Sequence, residues 1–428
     1  MIACLVIAMI VWSVVAVGAV YEWAAAPLML AAALLAALAP PETPGSPETR
    51  TLDRLLMASV LAAAVQLVPL PAALRGAGAI ATWRPSSVSP AVTANAIGLV
   101  LAALIVFRTT RTYCARGLMP RVVGAVAFTG LFASLLALVF QTVGDRTLIY
   151  GRWHPLDAGA HPFGPFVNRN HFATWVVMAC PLALGYVAAA IQAAAAESGV
   201  RGTLRAAIEG LGTSAAWVGA STIVMVVTLL ISTSRSGAIA LAVSLAGAAW
   251  LSRRRLTPHT ALLGASAALG TAALVAALAS LQPILLRLED ALAAGAGPRW
   301  RIWWETLRIV HDFPVAGTGL GGYQTAMLVY QQTNRTVFIN QAHNQYLHLL
   351  AEGGLLVAVP VALTVVEFIR LFRARLAEDA SPSFWLRVGG ATAILAVAVQ
   401  GLWETGLRIP ANGLLFAVAA AVAVHRAE

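Results

Sequence analysis

Long apolar stretches recur along the chain from Ile2 to Val424 and are separated by short polar segments. A transmembrane helix needs about 20 apolar residues to cross the hydrocarbon core of a bilayer. The stretches match that length, and a water-soluble fold could not bury so many of them. The pattern therefore predicts an all-α, polytopic transmembrane helix bundle with about twelve spans. The predicted spans are 2–20, 23–40, 52–74, 93–107, 120–141, 171–191, 214–232, 237–252, 259–281, 353–372, 385–402 and 410–425.

Clusters of arginine between the predicted spans indicate the orientation of the chain. They follow the fourth, eighth and tenth spans, where we find Arg108, Arg111, Arg116, Arg121, Arg253, Arg254, Arg255, Arg370, Arg373, Arg375 and Arg387. Because cytoplasmic loops carry an excess of basic residues, we expect these loops and both termini inside the cell. The segments 75–92, 142–170, 282–352 and 403–409 then lie on the far side. We expect residues 1–428 to form a single domain of a bacterial inner membrane.

The segment 282–352, between the ninth and tenth spans, is predicted to form a large periplasmic loop that caps the membrane. Its clearest element is a helix that starts at Pro298 and ends before Pro314, because proline suits the first helical turn but interrupts a helix interior. One face of this helix is apolar and the other is charged. The apolar face holds Trp300, Trp303, Trp304, Leu307 and Val310, and the charged face holds Arg301, Glu305, Arg308 and Asp312. Such a helix would lie in the membrane interface, but its periodicity does not distinguish a functional element from a plain surface anchor.

Composition supports the membrane assignment and excludes some partners. Hydrophobic residues make up 59% of the chain and charged residues only 11%, whereas soluble domains carry about 25% charged residues. The formal net charge of +10 does not indicate a nucleic-acid partner, because cytoplasmic loops of membrane proteins need this excess of cations. Cys4, Cys114 and Cys180 are not placed to form a disulfide outside the cytoplasm.

Ionisable residues are almost absent from the centres of the predicted spans. Ion-coupled transporters and pumps usually keep carboxylates or histidines at that depth. Polar groups gather instead at the predicted outer face, as Arg152, His154, Asp157, His161, Asn168, Asn170, His171, Arg235, Arg299, Arg301, His343 and Asn344. This distribution predicts a substrate with an anionic head group at the outer leaflet.

Arg235 and His343 are the main candidates for chemistry. Arg235 lies in a tight turn at the membrane edge, where a guanidinium can bind phosphate through two N–H groups or can reach lipid head groups as a simple anchor. His343 could accept a proton from a sugar hydroxyl or pair with a diphosphate. A lone histidine at the start of a helix is, however, more often a capping or packing residue. The residues alone leave both alternatives open.

The polar residues before the sixth span are weaker candidates. Asn168, Asn170 and His171 could bind sugar or phosphate, but capping of the helix explains them equally well. No cluster of histidine, cysteine and carboxylate side chains on the predicted outer face has metal-ligand spacing. We therefore expect no metal and no other cofactor.

Together these motifs resemble the O-antigen ligase and polymerase (Wzy-type) superfamily of bacterial membrane glycosyltransferases. The similarity covers roughly the second two thirds of the chain and depends on the order and sidedness of four motifs. The motifs are the run 164–173, the Ser234–Gly237 turn, the Arg299/Arg301 helix that ends at Pro314 and Gly317–Gly319, and His343–Asn344 with Gly354.

The resemblance implies a GT-C-like helical fold that transfers a glycan from undecaprenyl diphosphate to a hydroxyl acceptor without metal or nucleotide. It implies that Arg235 and Arg301, or Arg299, bind the diphosphate and that His343 acts at the acceptor or the leaving group. Because Arg299 and Arg301 point to different helix faces, only one is expected to face the substrate. Arg301 is preferred because it shares a stripe with Glu305 and Arg308.

Four further residues are expected to line the substrate site by the same resemblance: Asn168, Asn170, His171 and Asn344. The acceptor would be the lipid A core for a ligase and another lipid-linked glycan for a polymerase, and nothing in the sequence separates the two. A transporter or flippase of lipid-linked sugars is the alternative function, although the scarcity of charge at mid-membrane argues against it. A noncatalytic assembly factor is the third possibility.

Overall fold

The computed structural model describes residues 1–39, 47–70, 84–113, 117–156, 160–197, 213–255, 298–332 and 338–426. These residues form an all-α structure, apart from two paired strands of two residues each, β1 (Pro69–Leu70) and β2 (Arg84–Pro85). The helices are α1 (Ile2–Val15), α2 (Glu22–Leu38), α3 (Pro47–Val65), α4 (Pro90–Tyr113), α5 (Met119–Thr142), α6 (Arg169–Glu197), α7 (Thr213–Ile231), α8 (Arg235–Ser252), α9 (Pro298–Asp312), α10 (Tyr323–Tyr330), α11 (Gln345–Glu378), α12 (Ser383–Gln400) and α13 (Pro410–Val424).

The predicted membrane bundle is confirmed in its class. Among the described residues, α4, α5, α6, α7, α8, α11 and α12 are long and apolar enough to span a membrane, and α1, α2 and α13 are shorter apolar helices. The predicted ninth span, 259–281, lies outside the described residues. The total of about twelve spans and the GT-C-like arrangement therefore stay predictions.

Helix α6 is the centre of the bundle and packs closely against α12. Phe172, Trp175 and Met178 on α6 are all fully buried. The two helices approach each other at Gly185 and Gly389, where an added Cβ atom would collide with the backbone carbonyl of Trp385 or Pro181 respectively. Small residues at such contacts let membrane helices pack at short range. Because the two helices run antiparallel, this contact fixes the start of α6 relative to the loop that follows α12.

Helix α11 is interrupted at Gly354, where the backbone adopts φ +56°. Its first part, from Gln345 to Glu352, belongs to the predicted loop 282–352, and the predicted tenth span begins at residue 353, next to the break. The segment after α9 packs into this break, because the N–H groups of Leu355 and Leu356 donate to the carbonyl groups of Pro314 and Val315 at 2.9 Å each. A side chain at position 354 would collide with that segment. The chain between α9 and α11 is thereby held at the start of a membrane span.

A buried ion pair joins α12 to the last helix at the opposite end from the loop after Gln400. Arg387 is 1% exposed and donates to Asp379 Oδ2 at 3.0 Å, and its Nη1 donates to the carbonyl groups of Ala423 and His425 at 3.0 and 2.9 Å. These carbonyl groups end α13, where no further helical N–H group is available. The pair therefore anchors the C-terminal helix.

We expect Arg387→Ala to lower the free energy of unfolding by about 3–5 kcal/mol, because it leaves the buried Asp379 carboxylate without its cation. Thermal unfolding of the purified protein in detergent measures this loss. The control is Arg253→Ala, since Arg253 is exposed and its Nη1 donates to the carbonyl of Trp250, and substitutions at such surface sites usually change stability by less than about 0.5 kcal/mol. Equal melting temperatures for the two variants would contradict the anchoring role.

Candidate functional site

The carboxylate of Glu404 is the centre of a polar cluster in the loop between α12 and α13. Glu404 is 4% exposed. Its Oε1 accepts hydrogen bonds from Arg299 Nη2 and from Asn170 Nδ2, both at 2.8 Å. Its Oε2 lies 3.6 Å from His343 Nδ1. One buried anion thus brings together residues from three distant parts of the chain, and its charge is balanced by a guanidinium.

His343 is held next to Glu404 by the start of α11. Its backbone adopts φ +49°, an uncommon conformation for a residue with a side chain. The next residue, Asn344, caps the helix, because its side-chain oxygen accepts from the N–H groups of Tyr346 and Leu347 at 3.0 Å each. The Nδ1 atom of His343 is buried, yet the side chain as a whole is 31% exposed. Another edge of the ring therefore reaches the surface while Nδ1 faces the carboxylate.

The start of α11 is tied to the loop that carries Glu404 by several hydrogen bonds. The N–H group of Gln345 donates to the carbonyl of Gly401 at 2.7 Å, and Asn344 Nδ2 donates to the carbonyl of Leu402 at 3.3 Å. The Thr405 hydroxyl donates to the side-chain carbonyl of Gln341. These bonds fix the position of His343 relative to Glu404.

Asn170 connects Glu404 to the turn that contains Arg235. Its Oδ1 accepts a hydrogen bond from Ser234 Oγ at 2.9 Å, while its Nδ2 donates to Glu404. Ser234 is the N-cap residue of α8, so Arg235 is the first residue of that helix. Asn168 Oδ1 accepts from the N–H group of Asn170 at 2.8 Å, which is a capping role. The motif at the start of α6 is thus joined to the Arg235 turn.

The three predicted arginines differ in their surroundings. Arg299 is engaged by Glu404. Arg235 and Arg301 are exposed, and within the described ranges neither has a hydrogen-bond or ion-pair partner. Arg299 and Arg301 are two residues apart on α9 and therefore leave the helix in different directions. Two guanidinium groups are thus available to an anionic ligand, and the third is committed to a buried carboxylate.

His171 and Arg408 are two further residues close to this cluster. His171 is 6% exposed, and its backbone carbonyl accepts from Asn412 Nδ2 at 3.2 Å. Arg408 Nη1 donates to the carbonyl of Asn340 at 2.6 Å. Arg408 and Glu404 both lie close enough to His171 to interact with it electrostatically. The sequence analysis did not single out Arg408.

Glu352 is a second buried acid and lies on the first part of α11, four residues after His348. Glu352 Oε1 is 3.1 Å from His348 Nε2 and accepts from the N–H group of Tyr323 at 3.2 Å. The ring of Tyr323 packs on that of His348, with centroids 4.6 Å apart. Burial raises the pKa of Tyr323, whose hydroxyl bonds to Thr306, so it stays protonated. These contacts join the first part of α11 to α10. They were not predicted from the sequence.

No group of three or more histidine, cysteine or carboxylate residues suited to a metal ion occurs in the part of the chain that the structure describes. The polar cluster consists of one carboxylate, arginines, histidines and amides. Its chemistry is anion binding together with proton transfer through an imidazole.

Residues 220–362 match a protein family described as O-antigen ligase. This segment is similar to the proteins of that family. The resemblance found in the sequence is thereby confirmed. The match covers about a third of the chain, and no curated protein matches the sequence. It supports an O-antigen ligase-like activity in surface polysaccharide biosynthesis, in a bacterial membrane protein.

The matched segment contains some of the clustered residues but not all of them. Arg235, Arg299, Arg301, His343 and Asn344 fall within the match. The residues outside it are Asn168, Asn170, His171, Glu404 and Arg408. The polar cluster is therefore completed by α6 before the matched segment and by the loop between α12 and α13 after it. The catalytic and binding roles assigned to these residues stay predictions.

Proposed function

We propose that the protein transfers a glycan from an undecaprenyl-diphosphate-linked donor to a hydroxyl acceptor at the periplasmic face of the bacterial inner membrane. The acceptor is the lipid A core in a ligase reaction and a second lipid-linked glycan in a polymerase reaction. One observation carries the proposal: Glu404 accepts hydrogen bonds from Arg299 and Asn170 and lies 3.6 Å from Nδ1 of His343. Arg301 lies two residues after Arg299 on α9, and Arg235 directly follows Ser234, whose hydroxyl donates to Asn170.

The donor diphosphate would bind Arg235 and Arg301, whose guanidinium groups are exposed and unpartnered within the described residues. Arginine binds phosphate through two parallel N–H groups, which fixes orientation as well as charge. The N-termini of α6, α8 and α11 also meet at this cluster, since Asn168, Ser234 and Asn344 precede them. Helix N-termini carry partial positive charge and favour an anion.

His343 would accept the proton of the acceptor hydroxyl while that oxygen bonds to the anomeric carbon of the donor glycan. The bond from this carbon to the diphosphate oxygen breaks, and the diphosphate leaves with the electron pair. Glu404 would stabilise the imidazolium that forms, because its carboxylate lies next to Nδ1. A lipid diphosphate is already an activated leaving group, so positioning and charge stabilisation can supply much of the rate.

Unused hydrogen-bonding capacity at the same end of the bundle supports a polar substrate. Within the described residues, the buried side-chain atoms without a protein partner include Nδ1 of His171, Oε1 of Gln345, both amide atoms of Gln400 and Oδ1 of Asn412. Buried polar atoms in folded proteins are nearly always hydrogen-bonded. Hydroxyl groups of a sugar are suitable partners for such atoms.

A vesicle assay separates this proposal from the transporter alternative. Purified protein is placed in sealed vesicles that carry a fluorescent lipid-linked glycan in one leaflet and no acceptor. We expect no movement of the label to the other leaflet beyond that of protein-free vesicles. Movement that depends on the protein would contradict the transferase proposal and favour a flippase.

The exposed and the engaged arginines should respond differently to substitution. We expect Arg301→Ala, like Arg235→Ala, to raise the KM for the donor by about 10-fold or more, because each variant removes a charge-assisted bond worth about 1.5–3 kcal/mol. Arg299→Ala should mainly lower kcat, since it disturbs Glu404. Steady-state kinetics with varied donor measure both. A normal KM in Arg301→Ala with a raised KM in Arg299→Ala would assign the phosphate contact to Arg299 instead.

A further inference from the structure

The outward face of α9 is apolar, which is unusual for a helix outside the membrane spans. Trp300, Trp304 and Leu307 are 47%, 56% and 40% exposed and lie along one stripe of the helix. The opposite face is buried, with Thr306 and Ile309 both at 0% exposure. The helix is therefore apolar both toward the protein and away from it. Exposed apolar surface such as the stripe of Trp300, Trp304 and Leu307 is unfavourable in water and marks an interaction surface.

Charged groups border the outward stripe on one side. Arg308 is exposed and has no hydrogen-bond partner among the described residues. The nearest acid on the helix, Asp312, accepts a hydrogen bond from Tyr330 and contacts His311. The bond from Tyr330 lowers the pKa of Asp312, which stays ionised but engaged. Arg308 interacts electrostatically with Asp312, and its exposed guanidinium has N–H groups available to an external anion.

The position of α9 matches the edge of the membrane. The segment that follows it is hydrogen-bonded to α11 at Leu355 and Leu356. Leu355, Val359 and Leu363 are at least half exposed and begin the lipid-facing side of that span. The end of α9 therefore lies at the depth where the apolar surface of α11 begins. The neighbouring helix α10 continues the apolar surface, because Leu328 and Val329 are 64% and 75% exposed.

We propose that α9 and α10 dock on the phospholipid bilayer, with Trp300, Trp304 and Leu307 at the boundary between head groups and acyl chains and Arg308 on lipid phosphate. Tryptophan prefers this boundary because its ring is apolar and its N–H group is polar. Arginine beside it binds phosphate. The proposal does not depend on the transferase function, since it requires only that the bundle spans a membrane.

Fluorine NMR of the whole protein in lipid nanodiscs tests this docking. Tryptophan is replaced by 5-fluorotryptophan, and the signals of positions 300, 303 and 304 are assigned with Trp→Phe variants. Trp303 is the internal control, because its Nε1 donates to the carbonyl of Ala342 at 3.0 Å and it is less exposed. Two relaxation agents are compared: a lipid spin-labelled near its head group, and a water-soluble gadolinium chelate.

We expect the spin-labelled lipid to broaden the signals of Trp300 and Trp304 strongly and that of Trp303 weakly, with little effect of the chelate on either exposed tryptophan. Broadening of Trp304 by the chelate alone would overturn the proposal. A shift of the Trp304 signal on adding a soluble oligosaccharide, without broadening by the lipid, would also overturn it and would identify a saccharide site. Neither outcome depends on transfer activity, so failure here is distinct from failure of the transferase proposal.

Discussion

Replacing His343 with alanine is expected to lower glycan transfer by about 10²–10⁴-fold, because positioned general bases contribute rate factors of this size. The partly exposed ring lies beside the buried Glu404 carboxylate, so the substitution removes the proposed proton acceptor and leaves the rest of the cluster. In a cell that depends on this protein, surface polysaccharide should disappear while the variant stays in the membrane.

The matched control for this experiment is His154→Ala. His154 is an exposed histidine in the 142–170 segment and is not among the described residues that contact Glu404. The measurements are polysaccharide on gels and the amount of variant protein in membranes. Normal polysaccharide from His343→Ala, at normal protein level, would remove His343 from the mechanism.

Glu404→Gln should reduce transfer by about 10²-fold or more with little loss of folded protein, because it keeps the shape of the side chain and removes the negative charge beside His343. A glutamine can still accept the hydrogen bond of Arg299 or Asn170. It cannot stabilise an imidazolium. The expected signature is a fall in kcat with a smaller change in the KM for the donor.

Glu367→Gln is the control, since Glu367 lies near the far end of α11 and pairs with Arg370. A purely structural role for Glu404 predicts a different result. In that case Glu404→Gln would lower the melting temperature, and the folded fraction would keep its kcat. Such an outcome would contradict the assignment of Glu404 to the reaction centre.

The fold class followed from sequence because membrane spans are local features. A run of about 20 apolar residues needs no tertiary partner to be recognised. Helix α9 was also predictable from local sequence, because Pro298 marks its start and Pro314 follows its end. The start of α11 was not predicted at Gln345, because the tenth span was expected from residue 353. Its first part is held by the Asn344 cap and by contacts with α12 and α9. Those contacts have no signature in the local pattern.

The candidate site was predictable only where its residues form motifs. His343 and Arg235 stand in short polar runs at span edges, which drew attention to them. Glu404 and Arg408 are single charges in the short segment 403–409 and offered no pattern. Glu404 is 234 residues from Asn170 and 105 from Arg299. Only the folded bundle shows these partners. The one available signal was the presence of an acid on an outer face rich in arginine.

Transfer by the purified protein tests the central claim most directly. The wild-type protein in lipid nanodiscs is incubated in EDTA with an undecaprenyl-diphosphate-linked glycan and either lipid A core or a second copy of the donor as acceptor. We predict a glycosidic product with one of the two acceptors, and its loss in His343→Ala. Product on the core defines a ligase, and a lengthened donor defines a polymerase. No product with either acceptor, from folded protein, would contradict the account.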